Sequence, residues 1–178
     1  ERFEHIATLV EYNQVKMKQK KKAYNIFIDL TRAFDSVSHE KLMHVLNVKL
    51  NNRWGDSTFV RYIQEMYENI YYTTKTNNKY STLRKQRWGI KQGCCISPIL
   101  FNIYFDLVIT EMEDVFGDQI MILGYADDII IATENADLIP KIMQTFCDIT
   151  QRLNMEINMM KSQVMQIGET CTDQNGEQ

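Results

Sequence analysis

Two adjacent carboxylates, Asp127 and Asp128, stand between two runs of apolar and β-branched residues, Ile120 to Leu123 and Ile129 to Ile131. That pattern predicts a β-hairpin with acid at its tip. Like charges in contact repel and raise one another's pKa, so a pair held on rigid strands calls for a compensating cation. Asp is also common in turns, and on these residues alone a plain polar turn explains the pair equally well. A third acid shifts the balance. Ala23 to Leu30 alternates as a strand does, with Tyr24, Ile26, Ile28 and Leu30 on one face and Phe27 and Asp29 on the other. Asp is depleted in strands, so Asp29 near the end of this run asks for a reason. If the strand pairs beside the hairpin, Asp29 and Asp127 converge. Carboxylates gathered in this way can bridge two hard divalent cations about 3.5 to 4 Å apart, an arrangement suited to phosphoryl transfer.

Four segments follow one another through the chain. They are Phe27 to Asp35, containing Ala33-Phe34-Asp35; Gly89 to Tyr104, containing Gln92-Gly93 and Ser97-Pro98; Tyr125-Ala126-Asp127-Asp128; and Leu153 to Ile167, containing Asn158 and Lys161. In that order they resemble the consecutive motifs of reverse transcriptases, in the form found in non-LTR (LINE-type) retrotransposons. Any one alone is a weak signal, and four in order are a strong one.

The resemblance carries expectations about fold, chemistry and partners. It implies an α+β polymerase palm, an antiparallel sheet backed by helices, with part of the fingers and no thumb. The implied activity is RNA-directed DNA polymerisation, a two-metal nucleotidyl transfer of dNTPs onto a primer 3′-hydroxyl. Asp29, Asp127 and Asp128 would hold two Mg²⁺ ions, and Mn²⁺ suits the same oxygen ligands. Phe34 matches the position whose bulk stands against a ribose 2′-hydroxyl. Gln92 and Gly93 match the turn that lies against the incoming nucleotide and the template. Lys161 matches a residue near the triphosphate that can donate a proton to the leaving pyrophosphate. Tyr125 supports the primer end or packs as a cross-strand aromatic. Implied partners are an RNA template, a DNA primer and dNTPs, with fingers, thumb and endonuclease segments on a longer chain and weak or absent activity for this stretch in isolation, as an incomplete or inactive fragment. Two other readings stay open: a non-catalytic nucleic-acid-binding module on a palm scaffold, and a palm-type nucleotide cyclase. The cyclase reading sits less well, since such enzymes carry a Gly-Gly-Asp/Glu turn where this chain has Tyr-Ala-Asp-Asp.

The elements that must position these residues are constrained by composition. At 178 residues, 44% of them hydrophobic and 24% charged, the chain fits one soluble domain with a real core. A net charge of -3 means that any nucleic-acid binding must come from local basic patches. The sequence contains neither a long uninterrupted apolar run nor a signal-peptide pattern, so no membrane partner is expected. The four cysteines, Cys94, Cys95, Cys147 and Cys171, lack metal-ligand spacing and read as reduced thiols of a nuclear or cytoplasmic protein. The expected domain is 1–168, with 169–178 as a disordered tail, acidic and aperiodic.

Along the chain, Phe3, Ile6, Val10 and Met17 suggest the buried stripe of a first helix. The Lys-rich run from Lys16 to Lys22 reads as a solvated helix end, or as a contact with a nucleic-acid backbone. Ser38 can cap a helix from His39 to about Leu50, and Asp56 a second one with Phe59, Ile63, Met66, Tyr67 and Ile70 on its core side. Asn77-Asn78 predicts a tight hairpin turn. It leads into Arg84, Arg87, Trp88 and Lys91, a candidate phosphate-and-stacking surface for nucleic acid, or else an edge strand guarded by charge. Ser97 can cap a helix with Pro98 in its first turn, its stripe formed by Ile99, Leu100, Ile103, Tyr104, Leu107 and Val108 up to a stop at Gly117. A last helix begins near Asn135 and buries Ile139, Ile142, Met143, Phe146, Ile149 and Leu153, and two short strands close the chain.

Overall fold

The computed structural model describes residues 2–51, 58–125 and 128–168. These form two compact units, one made of the described residues within 2–31, 109–149 and 157–168, the other of those within 32–108 and 150–156. Among the described residues no helix is long and apolar enough to cross a membrane.

The first unit is built on β1 (Ala23–Thr31), β6 (Ile120–Tyr125), β7 (Asp128–Thr133) and β9 (Gln163–Ile167). β7 lies antiparallel between β6 and β1, and β9 pairs antiparallel with β1. The short β8 (Glu156–Ile157) completes the sheet. This is the antiparallel sheet that the resemblance implies, its strands marked out by the alternation of apolar residues. Ile26, Ile28, Ile129 and Ile131 share one face and are buried, each worth about 1.5 to 3 kcal/mol relative to exposure. Helix α5 (Ser97–Phe116) contributes residues to both units, and its Ile109 lies beside Gly124 of β6, 4.0 Å from where a Cβ would stand.

Helix α1 (Arg2–Lys18) covers the far end of the other face of β1, and it does so differently from the expected stripe. Phe3, Ile6, Val10 and Met17 are exposed, while Leu9 and Asn13 are buried. The reason is polar. Asn25, fully buried in β1, donates from Nδ2 to Asn13 Oδ1 at 3.1 Å, so the helix turns an amide inward. Two cations of the Lys-rich run are also spoken for: Lys16 and Lys21 both bind Glu134 just after β7, Lys21 at 2.9 Å. Those hydrogen bonds hold the Glu134 carboxyl below its ordinary range.

The second unit begins with α2 (Ala33–Ser36) and α3 (His39–Leu46), the latter capped as expected by Ser38 Oγ, which accepts from Lys41 N–H. The helix does not run to Leu50 as an α-helix. Asn47–Asn51 forms a π-helical turn, and Lys49 within it pairs with Asp106. In α4 (Thr58–Glu68), Val60, Ile63 and Tyr67 are buried, but Phe59 is exposed, and Asp56, its expected cap, lies outside the described residues. Asn77 and Asn78 adopt φ of 50° and 61° between β3 (Lys75–Thr76) and β4 (Lys79–Tyr80), the left-handed pair that a tight hairpin needs. Outside this turn, β2 (Tyr71–Tyr72) pairs with β5 (Arg84–Lys85).

The α5 stripe is rotated from expectation: Ile99 is exposed, while Phe101 and Phe105 join Leu100, Tyr104 and Val108 inside. Phe101 stacks on Phe34 at 4.8 Å and on Phe105 at 5.8 Å, and this aromatic column decides which face turns inward. Tyr104 is buried, its hydroxyl donating to Leu153 O at 2.9 Å; burial pushes its pKa up to about 12. Helix α6 (Ile139–Arg152) buries Ile142, Phe146 and Ile149 on the predicted side.

His39 is buried and faces the Gly89 carbonyl with Nε2 at 2.7 Å. Desolvation holds its pKa below the usual histidine value, despite the opposing pull of that carbonyl. The unfolded chain therefore takes up a proton at higher pH than the folded one. Stability carried by the neutral ring is complete above about pH 6.5 and is lost as pH falls through the folded-state value. The urea midpoint is expected to drop between pH 7.5 and 5.5, and to drop less in His39→Asn, measured by tryptophan fluorescence.

Candidate active site

Asp29 and Asp128 are directly opposite in the antiparallel ladder of β1 and β7. Residues so placed carry their side chains on the same face, with Cβ atoms roughly 4.5 to 5.5 Å apart. Phe27 and Ile130 form the next pair on that face, and Leu123 of β6 stands across from Ile130. Together with Lys161 and with His5 and Ile6 of α1 they line a cleft of about 690 Å³ with an apolar floor and the two acids at one end. Among the described residues no group of three or more His, Cys, Asp or Glu side chains is assembled. Two carboxylates on an open face nevertheless suit Mg²⁺, which binds through one or two carboxylates and keeps its remaining positions for water and substrate phosphates. Asp127, the acid expected to meet Asp29, lies outside the described residues, and Tyr125 is described only as the strand residue paired with Asp128.

Asp29 is held from behind. Its N–H donates to Ser162 Oγ at 3.2 Å, its carbonyl accepts from Asn158 N–H at 2.8 Å, and Ser162 Oγ donates in turn to Asn158 O at 2.9 Å. The tight turn 158–162 is thus bonded to the strand at the residue that carries the acid. Lys161, on that turn, brings Nζ to 3.7 Å from Asp29 Oδ2 while remaining mostly exposed. Ser162 was not singled out by sequence reasoning. Its only signal is a short hydroxyl-bearing residue after an Asn turn, a pattern too common to choose it.

The other expected contacts belong to the second unit. Phe34 is half-buried against Phe101, and its carbonyl accepts from Ile90 N–H at 3.0 Å. Gln92 donates from Nε2 to Asp35 Oδ1 at 3.1 Å, which makes Asp35 the residue that orients it. Gly93 has φ of +81°, and no atom lies within 4 Å of where its Cβ would stand, so the turn is open on that side. Ser97 does not cap α5 with its side chain. Its buried hydroxyl donates to Lys91 O at 2.6 Å and closes the Gln92-Gly93 turn, a role its position at a helix start concealed. Beside that turn, hydrogen bonding from the Ile96 backbone draws the Cys94 thiol below its ordinary range. Arg84, Arg87 and Lys91 are exposed, and Trp88 is half exposed. Cys94, Cys95 and Cys147 form no disulfide, and Cys171 lies outside the described residues.

The sequence pattern of the family described as reverse transcriptase (RNA-dependent DNA polymerase) matches residues 2–174. The Pol polyprotein of the type-1 retrotransposable element R2 of Popillia japonica is 28% identical over 156 residues, which are 83% of this chain and 25% of that protein. The RNA-directed DNA polymerase of the mobile element jockey of Drosophila funebris is 23% identical over 167 residues, 89% of this chain and 18% of that one. The chain thus spans about a quarter or less of the length of these curated relatives. Among solved structures, apo telomerase of Candida tropicalis, truncated from its C-terminal domain, superposes with a TM-score of 0.75 at 17% identity, covering 96% of this chain and 36% of that one. That likeness establishes a palm-type polymerase fold, and the R2 and jockey relatives agree with the resemblance to non-LTR retrotransposon enzymes. With the family pattern running through nearly all of its length, the chain belongs to the reverse transcriptase family.

Proposed function

We propose that this chain is the polymerising core of an RNA-directed DNA polymerase that extends a DNA primer with dNTPs on an RNA template. The observation that carries the reading is the placement of Asp29 directly across the ladder from Asp128 at the mouth of an open cleft, in a chain of this family. In the reaction the primer 3′-oxygen loses its proton and forms a bond to the α-phosphorus. The bond from that phosphorus to the β-phosphate bridge breaks, and pyrophosphate leaves. Asp29, Asp127 and Asp128 would hold divalent cations, two Mg²⁺ or Mn²⁺, which neutralise charge on the attacking and leaving oxygens.

The remaining roles belong to this chain's own groups. Lys161, whose ammonium lies 3.7 Å from the Asp29 carboxylate, would hold the triphosphate and return a proton to the departing pyrophosphate. Phe34, its ring immobilised against Phe101, would exclude a 2′-hydroxyl and favour deoxynucleotides. The open Gln92-Gly93 turn offers a backbone surface to the incoming nucleotide and the template. Tyr125 would support the primer end, while Arg84, Arg87 and Lys91 neutralise backbone phosphates beside Trp88. A related fold, telomerase of Candida tropicalis, has been solved with a fragment of telomeric RNA, which agrees with RNA as one partner here. Fingers, thumb and endonuclease segments would be supplied by the remainder of a longer polypeptide.

Primer extension tests the reading. A polypeptide containing this chain is expected to extend a DNA primer on an RNA template with dNTPs and Mg²⁺, and the Asp127→Asn form is expected to yield no product. Extension that persists undiminished in that form refutes the site. Metal-dependent binding without any extension by the unaltered protein would instead make the palm a non-catalytic scaffold.

A further inference from the structure

The second unit has a concavity of its own in which neither Asp29 nor Asp128 takes part, a cleft of about 610 Å³ lined by His39, Glu40, Tyr67, Glu68, Arg87 and Trp88. Its size is in the range of about 300 to 1,000 Å³ common for small-ligand sites. His39 and Tyr67 meet edge to face at 4.8 Å and both are buried. Tyr67 is 2% exposed, and its hydroxyl is shut off from solvent without a hydrogen-bond partner.

The rest of the lining has the chemistry of a base pocket. Trp88 is half exposed, yet its backbone is pinned twice, by an antiparallel bridge to Ser38 and by Gln86 Nε2 donating to its carbonyl at 2.8 Å. An aromatic plate on a fixed backbone stacks a base at little cost in conformational freedom. Arg87 stands beside it as a cation for phosphate, and its carbonyl is fixed by His39 N–H at 3.1 Å. Glu40 and Glu68 add acceptors, and Gln64 donating to Glu68 Oε1 at 2.6 Å holds that carboxylate in place. A double helix keeps its bases inside the stack, so only an unstacked base can enter. Single-stranded RNA offers such bases, read by stacking and by hydrogen bonds to their edges. Acceptor side chains favour a base with neighbouring donors, which guanine has in N1–H and the N2 amino group and uracil lacks.

We propose that this cleft holds one unstacked base of single-stranded RNA, guanine in preference to uracil, stacked on Trp88 with its donor edge towards Glu40 or Glu68. The proposal rests on the reading that the chain meets RNA, and adds to it a separate subsite with a base preference.

The test is fluorescence anisotropy at fixed salt, without divalent metal or dNTPs, using the polypeptide that serves for primer extension. The probes are a labelled uridine oligomer with one central guanosine, the same oligomer with uridine throughout, and the DNA counterpart of the first. The guanosine oligomer is expected to bind tightest. Trp88→Ala should weaken it by roughly 5- to 150-fold. Glu40→Gln or Glu68→Gln should narrow the ratio between the two RNAs. Equal affinity for both RNAs in the unaltered protein, a guanosine preference that survives both glutamine forms, or equally tight binding of the DNA oligomer overturns the proposal. Primer extension measured in parallel separates the two readings: lost discrimination with intact extension sinks only the subsite, and discrimination without extension sinks only the polymerase.

Discussion

Replacing Asp29 by Asn is expected to remove primer extension while leaving the fold standing. Two effects on stability oppose one another. Like charges directly opposite in a ladder cost about 0.2 to 1 kcal/mol, so neutralising Asp29 relieves its repulsion with Asp128. The same change removes the attraction of Lys161, an exposed pair worth about 0 to 1 kcal/mol. The net should fall within about 1 kcal/mol, or roughly 2 to 4 °C in the thermal midpoint for a chain of this size. The backbone bonds to Ser162 and Asn158 do not involve the carboxylate and should persist. Activity has no such compensation. A carboxylate that secures a cation at a reacting phosphate supports several kcal/mol of transition-state stabilisation, so the rate should fall by at least about a thousandfold. Calorimetry and primer extension on the same preparation check both halves. A stable protein retaining a tenth of its rate would show that Asp29 holds no cation.

The largest expected loss of stability comes from Phe101→Ala. The ring is fully buried and sits between Phe34 and Phe105 in a stacked column. Truncating a buried Phe costs about 3 to 5 kcal/mol, and each stacked contact adds roughly 0.5 to 1.5 kcal/mol beyond area. Against a total stability of about 5 to 15 kcal/mol, that is enough to leave the chain partly unfolded at 37 °C. Phe101→Leu keeps most of the volume and should cost clearly less. Urea unfolding monitored by circular dichroism decides, and similar midpoints for the Ala and Leu forms would mean that the column is not a packing unit. Because Phe34 loses its neighbour, the Leu form should also discriminate less between deoxy- and ribonucleotides in extension assays.

Elements whose signals are local were legible in the sequence. Alternating isoleucines specified both faces of β1 and β7, the Asn77-Asn78 pair specified its turn, and Ser38 specified the start of α3. Which of the two adjacent acids stands across from Asp29 was not legible: Asp127 was expected to meet it, whereas the ladder sets Asp128 opposite Asp29 and Asp127 lies outside the described residues. Features that depend on tertiary partners were not legible. Helix α5 is apolar nearly all round, so its periodicity could not say whether Ile99 or Phe101 faces inward; Phe34, far away in sequence, settles it. Helix α1 turned on a buried amide that hydrophobic counting ranks as surface. Ser162, Ser97 and Asp35 act by orienting a neighbour through single hydrogen bonds, and nothing in their spacing marks them out.

The Asn13–Asn25 contact works as a gauge for the width of the Asp29 cleft. Asn25 Oδ1 already lacks a partner, so its amide depends on Asn13 for the one bond it has. Sliding α1 by one turn, about 5.4 Å, would strand that amide in a dry interior. His5 and Ile6, on the first turns of the helix, form one wall of the cleft and would travel with it. Converting both asparagines to leucine would leave a comfortable apolar seam but several permissible heights for the helix, and the spacing between that wall and the acids would no longer be single-valued.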